Sequence, residues 1–326
     1  MGEEKIMSNL YCDFLYTPTG HHDQDFMVLN NYCDGKLTHI KRNEKNLIKN
    51  IFIIAHILRL PDKKTVGTAS FICLFIASVL VRRWDYNLVI HFIPMNRYKF
   101  YKFLLGIFIK KCKRIFVFAD CVKQNLIEEC HIDNADKIFE LHSRTLPLVQ
   151  KNTNAKPVIL IIGVLNEMKR LERLLSVVEK KHFSNLSFRF LCKGISQRIA
   201  DTGFSNSCQN DVFVSDCFPT LEEYRTELYK ADYSFLDYDA SYGVRCSAVL
   251  LDSLGQGTPV IVNENKSFEP IVKKYGCGFA FRTEEELAKI LDDINKTNIS
   301  YPFINTELLD FYSETNNKKL ASVLTE

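Results

Sequence analysis

The stretch CSAVLLDSLGQGTPVIVNE, Cys246–Glu264, decides the fold. Small residues open an apolar helix pattern, Gly-x-Gly-Thr-Pro ends it, and a short β-branched strand follows. A helix that leads through a tight turn into a buried strand is typical of parallel α/β sheets. One acid, Asp252, lies inside the apolar run, so the stretch also raises the question of what a buried carboxylate serves.

The same alternation of strands and helices extends through the whole chain. Continuous apolar runs such as NLVIHFIP (Asn87–Pro94), RIFVFAD (Arg114–Asp120) and KPVILIIG (Lys156–Gly163) predict strands covered on both faces. Helical patterns of crossover length separate them. We therefore predict an α/β fold of two doubly wound Rossmann-like domains facing a cleft. The predicted domains are residues 1–150 and 151–304, joined through QKNTNAKP, with a C-terminal helix at 305–326 that packs back on the first.

Composition excludes several classes of protein. The hydrophobic fraction of 46% and charged fraction of 25% are those of a globular protein. Eleven cysteines without CxxC pairs or a His/Cys cluster indicate reduced thiols and no metal site. No signal sequence is visible, and the longest apolar run, Val66–Val81, is shorter than the roughly 20 residues of a spanning helix. We expect a cytoplasmic protein, with attachment at the inner face of the cytoplasmic membrane as a further possibility.

The turn after the strand KPVILIIG is the first candidate site. The strand ends at Gly163, and Lys169 follows at the start of a helix. A glycine admits a ligand close to the backbone, and a helix N-terminus with a lysine suits a phosphate. The alternative is a plain strand–turn–helix with a solvated lysine.

The stretch quoted first adds a second candidate. Gly243, Ser247 and Ala248 would leave room for a diphosphate at another helix N-terminus, and Arg245 could form a forked contact with it. From the second helical turn, Asp252 could accept hydrogen bonds from a ribose. The alternative for Asp252 is a half-buried acid paired with a nearby base.

In order and spacing, residues 157–264 resemble the nucleotide-sugar domain of retaining glycosyltransferases of the GT-B fold, family four. The matching pieces are IIGVLNEMKR, FRFLCKG, VFVSDCFP, KADYSFLDY and CSAVLLDSLGQGTPVIV. The N-terminal half matches in outline, through NLVIHFIP and RIFVFADCVKQNLIEE. Two positions depart from the family. Val164 replaces an arginine, for which Arg245 could substitute, and Val244 replaces the first of two glutamates, for which Asp237 or Asp239 could substitute.

The resemblance implies roles for individual residues. Lys169 would bind the donor diphosphate, and Asp252 would hold the ribose. His91 would sit near the reacting face of the sugar, so that the implied catalytic residues are His91, Lys169 and Arg245. The implied donor-binding residues are Gly20, Gly163, Lys169, Gly194, Val214, Ser215, Tyr242, Gly243, Arg245, Ser247, Ala248 and Asp252. The cationic leaving-group site makes a metal unnecessary, so the resemblance implies no metal and no cofactor beyond a donor substrate, a UDP-sugar.

The implied function is transfer of a hexose to a glycan or lipid-linked saccharide of a surface polysaccharide, such as O-antigen or capsule. The alternative is a sugar-nucleotide-binding regulatory or scaffold protein without turnover. Residues 1–150 carry 21 Lys+Arg against 15 Asp+Glu, and 151–326 carry 21 against 24. The segment Arg97–Arg114 holds seven Lys/Arg and no acid, which suits an anionic membrane surface, a nucleic acid or simply a basic solvated helix face. The acidic second half argues against nucleic acid.

Overall fold

A computed structural model describes residues 9–17, 26–27, 29–30, 33, 35–90, 99–118, 120–130, 135–140, 154–242 and 247–297. These residues form two compact units that divide near residue 143. The predicted boundary at 150/151 and the predicted helix at 305–326 lie outside the described residues. Across the described ranges, no helix is both long and apolar enough to span a bilayer.

The first unit is a parallel sheet of six strands in the order β2-β1-β3-β4-β5-β6. Its strands are β1 (Asn9–Asp13), β2 (Leu37–Lys41), β3 (Lys63–Thr68), β4 (Asn87–Ile90), β5 (Arg114–Val117) and β6 (Ile138–Glu140). Its helices are α1 (Leu47–Arg59), α2 (Phe71–Val81), α3 (Lys99–Lys111) and α4 (Asp120–Cys130). Right-handed crossovers that all advance from β2 towards β6 place these four helices on one face of the sheet.

Aromatic packing links the helices of the first unit to one another. Phe108 of α3 lies 5.6 Å from Phe71 of α2, between ring centroids, and 5.8 Å from Trp84. The side chain of Asn46 begins α1 by accepting hydrogen bonds from two backbone amides of the first turn. The inner strands β4 and β5 are apolar and buried along nearly their whole length, as strands covered on both faces should be.

The second unit is also a six-stranded parallel sheet, in the order β12-β11-β10-β7-β8-β9. Its strands are β7 (Val158–Val164), β8 (Ser187–Lys193), β9 (Asp211–Ser215), β10 (Tyr233–Leu236), β11 (Val260–Asn263) and β12 (Gly278–Phe281). Its helices are α5 (Glu172–Lys180), α6 (Ile195–Thr202), α7 (Leu221–Lys230), α8 (Ala248–Gly255), α9 (Glu269–Tyr275) and α10 (Glu284–Thr297).

Alternate residues of β7 serve two different cores. Ile159 and Ile161 pack with α5 and α10, whereas Leu160 and Ile162 pack with Leu228 of α7. The chain runs from β7 to β8 in one direction and returns to β10 on the other side of β7. The carboxyl ends of β7 and β10 therefore form the topological switch point, where open α/β sheets bind ligands.

The two parallel sheets with crossover helices confirm the predicted α/β fold class. The helix of the opening stretch is α8, and the strand after it is β11, as predicted. Residues 26–27 and 29–30 are also helical. The edge strands β2 and β12 were not predicted.

Candidate functional site

The switch point of the second unit begins at Gly163, near the end of β7. Its φ of +112° is a backbone conformation that side chains rarely adopt. A Cβ on Gly163 would stand 3.2 Å from Nζ of Lys169 and 3.9 Å from Cγ2 of Val249 on α8. Three separate segments thus converge on this glycine, namely β7, the loop after it and the start of α8.

The loop after β7 is held as a short antiparallel pair with the end of β10. Lys169 is bridged to Tyr238. The amide of Arg170 donates to the carbonyl of Asp237 at 2.6 Å, and the amide of Asp239 donates to the carbonyl of Met168 at 2.7 Å. These bonds fix the backbone of Lys169 directly over the switch point.

The amine of Lys169 lies in an apolar and aromatic setting. Its Nζ is 5.4 Å from the ring centroid of Tyr238. Burial lowers the pKa of Lys169, and no carboxylate among the described residues lies within ion-pair distance of its Nζ. A lysine that is removed from water without a carboxylate partner is suited to receive an anion.

Two arginine–aspartate pairs brace this loop. The guanidinium of Arg173 grips both carboxylate oxygens of Asp237, with Nε at 2.8 Å from Oδ2, and Arg170 pairs with Asp239. Asp237 is only 1% exposed. Burial raises the pKa of Asp237, and Arg173 opposes that shift. Both carboxylates therefore hold the loop in its conformation. These contacts give no support to the hypothesis that Asp237 or Asp239 substitutes for the glutamate that Val244 replaces.

Tyr238 is the residue of this site that sequence reasoning missed. Its backbone amide donates to Oδ1 of Asn263 at 2.8 Å, and Nδ2 of Asn263 donates to its carbonyl at 2.7 Å. Its ring meets Tyr242 and Phe268 edge-on, at centroid distances of 4.5 and 5.1 Å. Burial raises the pKa of Tyr238, and a side-chain hydrogen bond with Ser247 opposes this shift. The neutral ring of Tyr238 is thus held in a fixed position next to the amine of Lys169.

The N-terminus of α8 faces the same place. Ser247 is its N-cap, and the Ser247 hydroxyl accepts from the amide of Leu250 at 3.3 Å. Ala248 is the first helical residue, and Val249 contacts the Gly163 position. The small residues at this end keep the helix close to β7, and the helix dipole adds a partial positive charge beside Lys169.

Asp252 lies one turn further along α8 and is 2% exposed. Its Oδ2 accepts a hydrogen bond from the hydroxyl of Tyr224 on α7 at 2.7 Å. Because residues three apart share a helix face, Asp252 points to the same side as Val249. The predicted ribose role of Asp252 stays a prediction.

A second group of predicted residues follows the same edge of the sheet. Gly194 follows β8 at φ +93° and is the N-cap of α6, and Ser215 ends β9, where it pairs in register with Leu191. Asp216 accepts from the amides of Gly194 at 2.9 Å and Ser196 at 3.1 Å, and these bonds hold the pKa of Asp216 far below its usual range. Val214 is 38% exposed on the edge strand. Gly194, Val214 and Ser215 therefore lie at the same carboxyl edge of the sheet as Lys169, beside the carboxylate of Asp216.

The structure brings several of the predicted residues together. Gly163, Lys169, Tyr242, Ser247 and Ala248 lie around the switch point, and Gly194, Val214 and Ser215 lie along the adjoining strand ends. Gly20, His91, Gly243 and Arg245 lie outside the described residues, so their roles stay predictions. Within the ranges given above, no group of three or more His, Cys, Asp or Glu side chains could hold a metal ion.

The chain was compared with known proteins. No family model matches it. No curated protein matches its sequence. Solved structures match it at low sequence identity over nearly the whole chain.

Three of these structures illustrate the likeness. Sucrose-phosphate synthase from Thermosynechococcus elongatus has a TM-score of 0.72 at 10% identity, covering 98% of each chain. Anabaena HepE in complex with UDP-glucose has a TM-score of 0.69 at 12% identity, covering 97% of this chain and 98% of that one. The lipopolysaccharide outer core galactosyltransferase WaaB has a TM-score of 0.65 at 11% identity, covering 97% of this chain and all of that one. The fold of this protein is thus the two-domain Rossmann-like fold of GT-B glycosyltransferases.

Proposed function

We propose that this protein is a glycosyltransferase that takes a sugar from a nucleotide-sugar donor. The observation that carries the proposal is the amine of Lys169, which is half-buried at a switch point without a carboxylate within ion-pair distance in the described part of the chain. The site offers a cation, a helix N-terminus and a glycine that admits close approach. These are the elements that a diphosphate needs.

The chemistry follows from where charge develops. When the bond between the sugar and the diphosphate breaks, negative charge grows on the leaving phosphate oxygen. A fixed ammonium and the amides of α8 would stabilise that charge without rearrangement. Both pairs of arginine and aspartate keep the lysine in place during this step. No side chain is assigned as a nucleophile.

Finer features of the proposal draw on the similar structures. HepE has been solved with UDP-glucose, and WaaB is named as an outer core galactosyltransferase of lipopolysaccharide. By analogy, we propose a UDP-linked hexose as the donor and a glycan or lipid-linked saccharide of a surface polysaccharide as the acceptor. Retention of configuration and independence from metal belong to the same proposal, and turnover that survives EDTA would support the latter.

Nucleotide binding to the purified protein is the direct test. UDP, GDP, ADP and CDP would be compared by the shift in melting temperature, and then the matching sugar nucleotides would be tested for release of the nucleotide. We expect UDP to stabilise most. Lys169→Met should weaken its affinity by about tenfold to a hundredfold, since a hydrogen bond to a charged group contributes roughly 1.5–3 kcal/mol.

The matched control is Lys266→Met, which removes an exposed lysine of the same unit. It should leave UDP affinity unchanged. Stabilisation by no nucleotide, or equal stabilisation in Lys169→Met, would contradict the donor site. Binding without release of nucleotide from any sugar nucleotide, with or without candidate acceptors, would instead indicate a regulatory or scaffold protein.

A further inference from the structure

The first unit carries three consecutive helices without a single acid. They are α1, LIKNIFIIAHILR, α2, FICLFIASVLV, and α3, KFYKFLLGIFIKK, of 13, 11 and 13 residues. Together they contain six lysines and arginines. Every other helix named above contains at least one Asp or Glu. The absence of acid is therefore a property of this part of the molecule and not of the chain as a whole.

The three helices lie side by side. The Sγ of Cys73 on α2 is 3.9 Å from the carbonyl of Leu47, so the starts of α1 and α2 are in contact. Phe108 of α3 lies against Phe71 and Phe75 of α2, at centroid distances of 5.6 and 6.4 Å. The crossover rule places all three on one side of the sheet. We call their outward surface the acid-free face.

Large apolar side chains are exposed on each of the three helices. Phe52 and Ile48 on α1 are each 66% exposed, and Leu80 on α2 is 57% exposed. Others that share this exposure are Leu47, Val79, Phe100 and Phe103. Single exposed apolar residues are common on protein surfaces, but a group on adjoining helices marks an interaction surface.

Charge decides which partner this surface suits. Lys49 and Arg59 on α1 and Lys110 and Lys111 on α3 are exposed beside the apolar residues. Three acids lie in the turns next to these helices. Asp85 pairs with Arg83 at 3.2 Å, Asp62 and Asp85 both raise the pKa of Lys64, and Glu44 accepts from the amide of Asn46 at the start of α1, so they are fewer than the six lysines and arginines of the helices. The net field of the face is therefore positive, and its partner should be negative and able to accept aliphatic side chains.

We propose that the acid-free face binds an anionic lipid surface. The aliphatic and aromatic side chains would enter the boundary between headgroups and acyl chains, and the lysines would contact lipid phosphates. A nucleic acid could bind the lysines, but it has no apolar interior that could take up Ile48, Val79 or Leu80. A second copy docked face to face would set like charges against each other. The proposal does not depend on the donor site, which lies in the other unit.

Vesicle binding by the whole protein tests the proposal. The protein would be sedimented with vesicles of phosphatidylcholine alone and of phosphatidylcholine mixed with phosphatidylglycerol. We expect strong preference for the mixed vesicles, weakened by salt. Phe52→Asp should reduce the partition coefficient by about tenfold or more, because an aromatic side chain that would enter the lipid is replaced by a charge. Lys49→Glu should reduce it by about fivefold or more.

Two matched substitutions in the second unit serve as controls. Phe218 is 62% exposed, so Phe218→Asp removes an equally exposed aromatic residue, and Lys266→Glu makes an equivalent charge reversal. Neither should change vesicle binding, and unchanged melting temperatures would show that all four variants fold.

Failure to bind mixed vesicles, or equal losses in variants and controls, would overturn the proposal. A dimer in solution that Phe52→Asp dissociates would identify a second copy as the partner instead. Stabilisation of the protein by nucleotide is measured without lipid, so it tests the donor site independently of the vesicle experiment.

Discussion

Gly163 shows how one residue can couple backbone geometry to the candidate site. At φ +112° it lies in a region that is essentially reserved for glycine. Its missing side chain is also what leaves 3.2 Å between the Cβ position and Nζ of Lys169. Strain and crowding would therefore appear together if any side chain were introduced.

We expect Gly163→Ala to lower the free energy of unfolding by about 1–3 kcal/mol, since the backbone must hold a strained conformation. UDP affinity should fall as well, because the new methyl group displaces the Lys169 amine. Urea unfolding and nucleotide titration measure the two effects.

The matched control is Gly106→Ala, at a helical position where an added Cβ would meet no other atom within 4 Å. That variant should be more stable than the parent by roughly 0.5–1 kcal/mol, because alanine favours helix. A Gly163→Ala protein as stable as the parent would contradict the claim that the backbone at Gly163 requires glycine.

Tyr238 marks the limit of residue-level prediction. Gly163 and Lys169 were found from sequence because a glycine after a strand and a lysine before a helix have local meaning. Tyr238 stands in DYD, which reads locally as two acids and an aromatic residue. Its place under Lys169 depends on pairing between segments about 70 residues apart, and no local pattern encodes that pairing.

At the scale of elements, α5 is tied to the turn at 205–207 by one carboxylate. Glu179 accepts from the amides of Ser205 at 3.0 Å, Asn206 at 2.7 Å and Ser207 at 3.2 Å, and from the Ser205 hydroxyl at 2.6 Å. These hydrogen bonds lower the pKa of Glu179 to about 2. A side chain at the end of one helix thereby orders the connection that leads into β9.

The stabilisation by Glu179 should depend on pH. An unfolded glutamate has a pKa of about 4.3, so the contribution is fully present above that value and is lost as pH falls towards 2. The melting temperatures of the parent and Glu179→Gln should differ by a constant amount near neutral pH and converge under acid. A gap that stays constant down to about pH 2, near the folded pKa of Glu179, would contradict this account.

Most elements could be predicted from sequence, and the exceptions have a physical reason. Buried strands such as β4, β5 and β7 are continuous apolar runs, which only a doubly covered sheet explains. The edge strand β2, LTHIK, mixes polar and apolar residues and has only Leu37 fully buried. In the second sheet the edge strand β12 contains four residues, GFAF, of which only Phe281 is buried. Edge strands pair on one side only, so their sequences carry a weaker signal.

At the scale of the whole molecule, each unit has its own sheet and its own core, and the only tryptophan belongs to the first. Trp84 packs against Phe75 and Phe108, with centroid distances of 6.0 and 5.8 Å. Its fluorescence therefore reports the unfolding of the first unit alone. Backbone circular dichroism reports both units.

We expect UDP to move the unfolding transition of the second unit and to leave that of Trp84 nearly unchanged, because the ligand stabilises only the unit that binds it. Urea titrations followed by both signals, with and without UDP, measure this. Equal shifts in the two signals would mean that the units unfold as one cooperative body.

The half-buried amine of Lys169 also bears on covalent chemistry. An amine with a lowered pKa keeps a larger neutral fraction near pH 7, and the neutral amine is the nucleophile. Lys64 also has a lowered pKa, but its Nζ donates to the carbonyls of Leu60 and Asp62. A small aldehyde that bears a phosphate would thus bind at Lys169 and condense with its amine by loss of water. Borohydride reduction of the resulting imine would make the bond permanent. The same environment that receives an anion makes this lysine a place where a selective covalent probe can be attached.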